Sequence, residues 1–227
     1  MRPLTRSLAA AQTTDDTGGV NFLAHLVLAP DTPEGMAGSL APDLIRGPLP
    51  ADLAPEVLDA AREHQSIDRA TDRHPAFIEV RDRLRPAAGR FAGIVADVMF
   101  DHALAHAWAH HGRAEPLLGY TARVGQTLTV HRTLMPATMQ DHIARMLRHH
   151  WLNTYATPAG MRLTLERMSA RYARRLRIEV DLTPAADLIA TAPPHWLTAA
   201  FASLWPDLQQ HVHRRRHAPP HPSNRLA

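Results

Sequence analysis

In the stretch LAPEVLDAAREHQSIDRATDRHP, residues 53–75, apolar residues return at intervals of three and four rather than two. That is the period of an α-helix, and it predicts one over 53–73, closed ahead of Pro75, which cannot continue it. Within it His64, Asp68 and Asp72 follow one another at steps of four, with Thr71 beside them. On an α-helix they project as one row, with neighbouring side chains about 5–6 Å apart. One imidazole and two carboxylates in a row suit a divalent cation; the alternative is a solvated face paired with Arg69 or Arg73.

The same period runs outward in both directions. It predicts helices over 21–29, 76–84, 89–111, 115–134, 137–152, 158–176 and 195–211. In the longest, 89–111, Ile94, Val95, Val98, Met99, Ala103 and Leu104 form a broad apolar face, and Gly112 suits its C-terminal cap. Residues 31–55 are broken by proline and glycine, with a helical turn or two expected around 36–45. RIEVDL, 177–182, is either a strand or an extended connection. The expected fold is all-α, a single-domain bundle of about eight helices over 20–212. Residues 1–19 lack a signal-peptide core and read as a disordered leader, while 213–227, with the arginine triplet 214–216, read as a disordered basic tail.

Composition narrows the chemistry. The 227 residues contain no cysteine, which excludes disulfides, a thiolate nucleophile and zinc–thiolate ligation. Any metal must be held by nitrogen and oxygen, and 16 histidines are available for that. No apolar run approaches the ~20 residues a bilayer helix needs, so no membrane association is expected and the cytoplasm is the expected location. All 25 basic residues are arginine, and the net charge is only +3. The sequence pI of about 10.1 follows from arginine's failure to titrate below pH ~12. So small a surplus is weak ground for a nucleic-acid partner, and none is expected; an acidic protein or a phosphate-bearing substrate fits scattered arginines as well.

Ionisable residues gather in four places. His25 lies in the apolar NFLAHLVLA, and Asp43 in GSLAPDLIRG, between glycines. The row on 53–73 is the third, and DVMFDHALAHAW, with Asp97 and Asp101 four apart and His102 adjacent, is the fourth. His25 alone reads as a core histidine or a ligand, and Asp43 as a turn residue or a ligand. Asp97 and Asp101 are harder to place, because unpaired buried charges cost several kcal/mol and no arginine lies within 94–108 to compensate them. One shared cation satisfies all four places. A sulfur-free His/Asp set suits zinc, manganese, iron or magnesium, and its oxygen content leans toward manganese or magnesium. Such an ion serves phosphoester hydrolysis.

The series NFLAHLVLA, GSLAPDLIRG, HQSIDRATD and DVMFDHALAHAW, in this order and spacing, resembles the acyl carrier protein phosphodiesterases over about 21–205. These are an all-helical family distantly like the HD-type phosphohydrolases. The resemblance implies hydrolysis of 4′-phosphopantetheine from holo-acyl carrier protein, an acidic partner, with Mn²⁺ as cofactor. His25, Asp43, His64, Asp68, Asp72, Asp101 and His102 fall where the family keeps its histidines and aspartates. The expected metal ligands are His25, His64, Asp68, Asp72 and Asp101, and Asp43 completes the shell or orients water. His102 is expected to act as general acid, and Arg46, Arg69 and Arg73 to meet the substrate.

The chain departs from the family at Ser39, where asparagine is usual, and at Gln65-Ser66, where two arginines are usual, which bears on substrate recognition. Val20 stands where family chains begin, so synthesis is expected to start there, from a valine codon. The competing readings are a related metal phosphohydrolase acting on a nucleotide or other small phosphoester, and a non-catalytic carrier-binding helical protein.

Overall fold

Proline sets where many of the helices begin. The computed structural model describes residues 22–190 and 192–217; the expected leader 1–19, the start at Val20 and the tail beyond 217 lie outside them. Pro33, Pro55, Pro75 and Pro158 occupy the first turns of α2 (Pro33–Leu44), α3 (Pro55–Arg73), α4 (Pro75–Ala88) and α10 (Pro158–Leu176). There the missing N–H costs nothing, because first-turn N–H groups have no intrahelical partner. Thr32 and Thr157 complete two of these starts by accepting the N–H of Gly35 at 3.0 Å and of Gly160 at 3.1 Å.

The remaining helices are α1 (Phe22–Leu28), α5 (Ala92–His106), α6 (Trp108–His111), α7 (Leu117–Val130), α8 (Ala137–Arg148), α9 (Trp151–Thr154) and α11 (His195–His217). With three short 3-10 turns and no strand among the described residues, the all-α expectation holds. The helices exceed the expected eight for local reasons. Residues 33–44 form a full helix, not a turn or two, because Thr32 caps it and its buried Met36, Leu40, Ala41 and Leu44 pack it down despite Pro42. The stretch 89–111 divides at Ala107. The stretch 137–152 divides at His150, whose φ of 50° is left-handed. RIEVDL is the extended connection, pinned where Leu182 N–H donates to Ser169 Oγ at 2.8 Å.

α5 runs through the core. Val95, Ala96, Val98, Met99 and Leu104 are wholly buried, and α1, α4 and α11 pack around them. α2 lies along α3 at a separation only glycine permits. A Cβ on Gly38 would stand 2.3 Å from the Val57 carbonyl oxygen and 2.6 Å from the Ala60 Cβ. α11 continues past the expected boundary at 212 to His217, carrying Arg216 to a bidentate pair with buried Glu63 and to the Leu28 carbonyl. Residues 213–217 are therefore helix rather than tail, held by the need of a buried carboxylate for a partner. Among the described residues, no helix is long and apolar enough to cross a membrane.

Candidate metal centre

Asp101 sets the first strut of the site. From inside α5 its carboxylate accepts the N–H of Leu23 at 3.0 Å and of Ala24 at 2.8 Å. These are first-turn donors of α1 that the helix itself cannot satisfy. Burial pushes the carboxyl well above the usual range, the two N–H donors oppose that, and Asp43 adds to it. So capped, α1 presents His25 to α3.

On α3, one turn separates His64 from Asp68, and both meet His25. Asp68 lies between the rings, Oδ1 3.0 Å from His25 Nε2 and Oδ2 3.1 Å from His64 Nε2. The two imidazoles stack with centroids 3.7 Å apart and planes 18° apart. His64 Nδ1 lies 2.6 Å from the Ser39 carbonyl. A carbonyl only accepts, so Nδ1 carries the proton and donates, leaving Nε2 for the cluster. Neither contact to Asp68 is aligned as a hydrogen bond, and Nε2 of both histidines lacks one among the described residues.

Asp43 enters from the last turn of α2. Its side chain is 1% exposed, Oδ1 is 3.6 Å from His64 Nε2, and neither oxygen has a hydrogen bond among the described residues. Burial opposes charge on His64, but Asp43 and Asp68 outweigh it and lift the ring to about 10. Burial and the neighbouring His64 instead depress His25, against the pull of Asp68. The Asp68 carboxyl resists burial and stays well below the usual range because of His25 and His64.

Asp68 also reaches solvent, with 38% of its side chain exposed. It opens onto a cleft of about 330 Å³ between α3 and α5, lined also by Gln65, Arg69, Asp72, Gly93 and Asp97. Burial and then Asp68, Asp72, Asp43 and Asp101 drive the Asp97 carboxyl well above its usual range. Burial and Asp68 raise Asp72, which Arg81 and Arg73 moderate.

Of the expected site residues, His25, His64 and Asp68 come together, with donor atoms all within 4.8 Å of one another. Asp43 stands against them, Asp72 and Arg69 line the cleft, and Arg73 acts on it through Asp72. Asp101 holds α1 rather than joining the cluster. His102, one position further round α5, is turned from it: Nδ1–H donates to the Tyr155 carbonyl at 2.6 Å and fastens the end of α9. Burial lowers its pKa, and Nε2 has no hydrogen bond among the described residues. Arg46 is exposed beyond α2, with no ion pair among the described residues.

Asp97, which the sequence placed with Asp101 among the residues a shared cation would satisfy but not among the expected ligands, lines the cleft. The backbone carbonyl of Ser39 left no sequence signal at all. Of the departures, Ser39 contributes that carbonyl while its hydroxyl turns back to Met36 O at 3.0 Å. Gln65 lines the cleft, and Ser66 bonds His211 at 2.7 Å.

The residues fit a divalent cation. Two imidazole nitrogens without hydrogen bonds among the described residues and the Asp68 carboxylate between them make a nitrogen–oxygen donor set around one point, and the buried Asp43 stands 3.6 Å from His64 Nε2. The carboxylates that raise one another's pKa are relieved by a positive charge in their midst.

The sequence profile of the acyl carrier protein phosphodiesterase family matches residues 20–208. The chain is 30% identical over 155 residues to the acyl carrier protein phosphodiesterase of Photorhabdus laumondii, covering 68% of this chain and 78% of that one. With the protein of that name from Serratia proteamaculans it shares 28% identity over 191 residues, 84% of this chain and 96% of the other. For that from Yersinia pestis the identity is 28% over 188 residues, 80% and 97% of the two chains. No solved structure gives a significant match.

Proposed function

The chain belongs to the acyl carrier protein phosphodiesterase family, and from that membership we propose that it hydrolyses the phosphodiester between 4′-phosphopantetheine and a serine of acyl carrier protein. A water oxygen forms the new bond to phosphorus, the bond from phosphorus to the serine oxygen breaks, and that oxygen takes a proton. The products are 4′-phosphopantetheine and the apo-carrier. The observation that carries the reading is the cluster of His25, His64 and Asp68, with Asp43 beside His64, which opens through Asp68 onto a solvent cleft.

His25, His64 and Asp68 would hold the cation, with Asp43 the fourth donor, and Mn²⁺ is the ion we assign. A bound divalent cation supplies Lewis acidity toward a phosphoryl oxygen and makes water nucleophilic near neutral pH. The Ser39 carbonyl holds the His64 proton on Nδ1, and the Asp101 cap holds His25 in register with α3. Without a cation the cleft wall offers Asp68, Asp72 and Asp97 against the single guanidinium of Arg69, a surface that repels a phosphodiester anion. Arg69 meets the phosphate once that charge is balanced, and Gln65 hydrogen-bonds beside it where relatives carry an arginine. The reaction belongs in the cytoplasm with its carrier.

Intact mass of holo-carrier incubated with the purified protein and Mn²⁺ tests this. The expected result is loss of one phosphopantetheine per carrier, stopped by chelator and restored by Mn²⁺. Cleavage of small phosphodiesters or nucleotides with no change in any holo-carrier overturns the substrate, and no hydrolysis of either with one Mn²⁺ bound overturns the activity.

A further inference from the structure

The basic charge of this chain is concentrated in one place. Residues 142–177 contain eight of the 25 arginines and one of the 22 acidic residues, so this stretch bears +7 in a chain whose total is +3, and the remainder is net acidic. The stretch folds into α8, α9 and α10, which enclose a groove of about 440 Å³. Arg145 on α8 and Arg167, Arg171 and Arg174 on α10 line it, with His142 and His149. No acidic residue does. All four guanidiniums are exposed, and none forms an ion pair among the described residues. By contrast, Arg62, Arg85, Arg123 and Arg216 each have a carboxylate partner. The floor is apolar, and Trp151 adds a buried indole N–H without a hydrogen bond among the described residues.

Two rings tie the groove to the segment that lines the cleft. Tyr155, in its floor, is a wholly buried phenol whose surroundings include Asp101 and Asp43. Phe91, two residues before cleft-lining Gly93, packs on Tyr172 of α10 at 5.1 Å, beside Arg171. The groove, through Tyr155 bonded to His102, and the cleft, through Gly93 and Asp97, are therefore both built on α5.

We propose that the groove between α8 and α10 is the docking surface for the acidic face of the carrier protein, seating it so that its prosthetic arm enters the cleft at Asp68. This rests on the carrier reading given above. The division of labour follows from charge. The chain outside this stretch is net acidic and would repel an acidic carrier, so a single cationic face both orients the encounter and raises its rate. Unpaired arginines are suited to this, since no internal ion pair must be broken before they meet carboxylates.

The test uses apo-carrier, which lacks the prosthetic arm and reports docking alone. Arg167→Glu/Arg171→Glu/Arg174→Glu is expected to weaken apo-carrier binding by about tenfold or more and to flatten its salt dependence. The KM for holo-carrier should rise with it, while Mn²⁺-dependent cleavage of bis(p-nitrophenyl) phosphate, which confirms the fold and the metal centre, stays unchanged. A control of equal charge change on α3 and α4, Arg62→Glu/Arg83→Glu/Arg85→Glu, should leave binding near the parental value. Arg145→Glu on α8 provides a second, independent variant. Unchanged affinity in the α10 variant overturns the proposal, as does a parent protein that binds no carrier, or one whose groove arginines respond to RNA or free pyrophosphate alone. If the parent binds carrier through these arginines but leaves holo-carrier intact, the docking surface stands and the proposed reaction falls.

Discussion

Asp43 and Asp101 are two aspartates shut away from solvent a short distance apart, and the protein treats them in opposite ways. Asp101 has a hydrogen bond on each oxygen, both from backbone N–H groups of α1. Asp43 has none on either oxygen among the described residues, only the His64 ring at 3.6 Å. A buried carboxylate with matched donors ties two elements together, whereas one without them is a cost the fold bears for something it has yet to bind. The contrast separates framework from chemistry at the α1–α5 and α2–α3 junctions, and substitution can break it at either end.

The largest effect is expected at the framework end. Asp101→Ala leaves two N–H groups of α1 without acceptors, each worth about 1–3 kcal/mol when buried, so urea denaturation should show a loss of about 3 kcal/mol. Asp101→Asn keeps one carbonyl acceptor and should recover part of it. Because α1 carries His25, divalent-ion affinity should fall in both. An Asp101→Ala protein as stable as the parent would make Asp101 a ligand rather than a cap.

Asp43→Ala should behave in the reverse sense. Asp68 still faces His64 when Asp43 is gone, so removal of a buried carboxylate without hydrogen bonds leaves the metal-free protein within about 1 kcal/mol of the parent, or above it. Hydrolysis should nevertheless drop by about 100-fold or more, because a donor at the ion is lost. If Asp43→Ala destabilises the metal-free protein as much as Asp101→Ala does, the two aspartates are alike and the comparison fails.

The ion itself sharpens the comparison further. A cation that binds only the folded protein stabilises it by about 2.7 kcal/mol at 100 times its Kd. Thermal unfolding of the parent should therefore shift upward with Mn²⁺ and return with chelator, and the shift should shrink in Asp43→Ala. A parent whose melting is indifferent to Mn²⁺ and chelator would remove the reason for leaving Asp43 unpaired.

What the sequence made legible was local. His64 and Asp68 are a helical row whose spacing alone sets them together, and the apolar period was enough for an all-α chain. What stayed hidden depends on distant partners. Asp101 looked like a ligand because nothing near it in sequence shows that two N–H groups 77 and 78 residues away need an acceptor. His102 looked catalytic beside it, but one residue of α-helix turns a side chain by about 100°, toward Tyr155. Arg216 read as part of a solvated tail until Glu63, 153 residues earlier, supplied its partner. The helix over 33–44 was obscured by its own proline and glycine, which mark breaks in isolation, whereas here Pro33 starts the helix and Gly38 allows its close packing on α3.

The smallest effects lie at two neighbours beneath the cluster, Gly38 and Ser39. Gly38→Ala would drive a Cβ to 2.3 Å from a backbone oxygen of α3, which only separation of α2 from α3 relieves. Overpacking of this kind costs about 1–3 kcal/mol. It also draws the Ser39 carbonyl away from His64 Nδ1, so both stability and hydrolysis should decline. Ser39→Ala removes a hydroxyl that, among the described residues, bonds only to the Met36 carbonyl one turn back, and leaves the carbonyl that holds His64 in place. A side-chain bond to a carbonyl already engaged in its helix contributes little, so stability should change by less than about 1 kcal/mol and hydrolysis should be retained. Ser39→Asn, which restores the family's usual residue, should likewise leave the His64 contact intact, because the contact belongs to the backbone. A marked loss of activity in Ser39→Ala with a normal melting temperature would show that the hydroxyl itself serves the centre, and would return the departure at this position to substrate recognition.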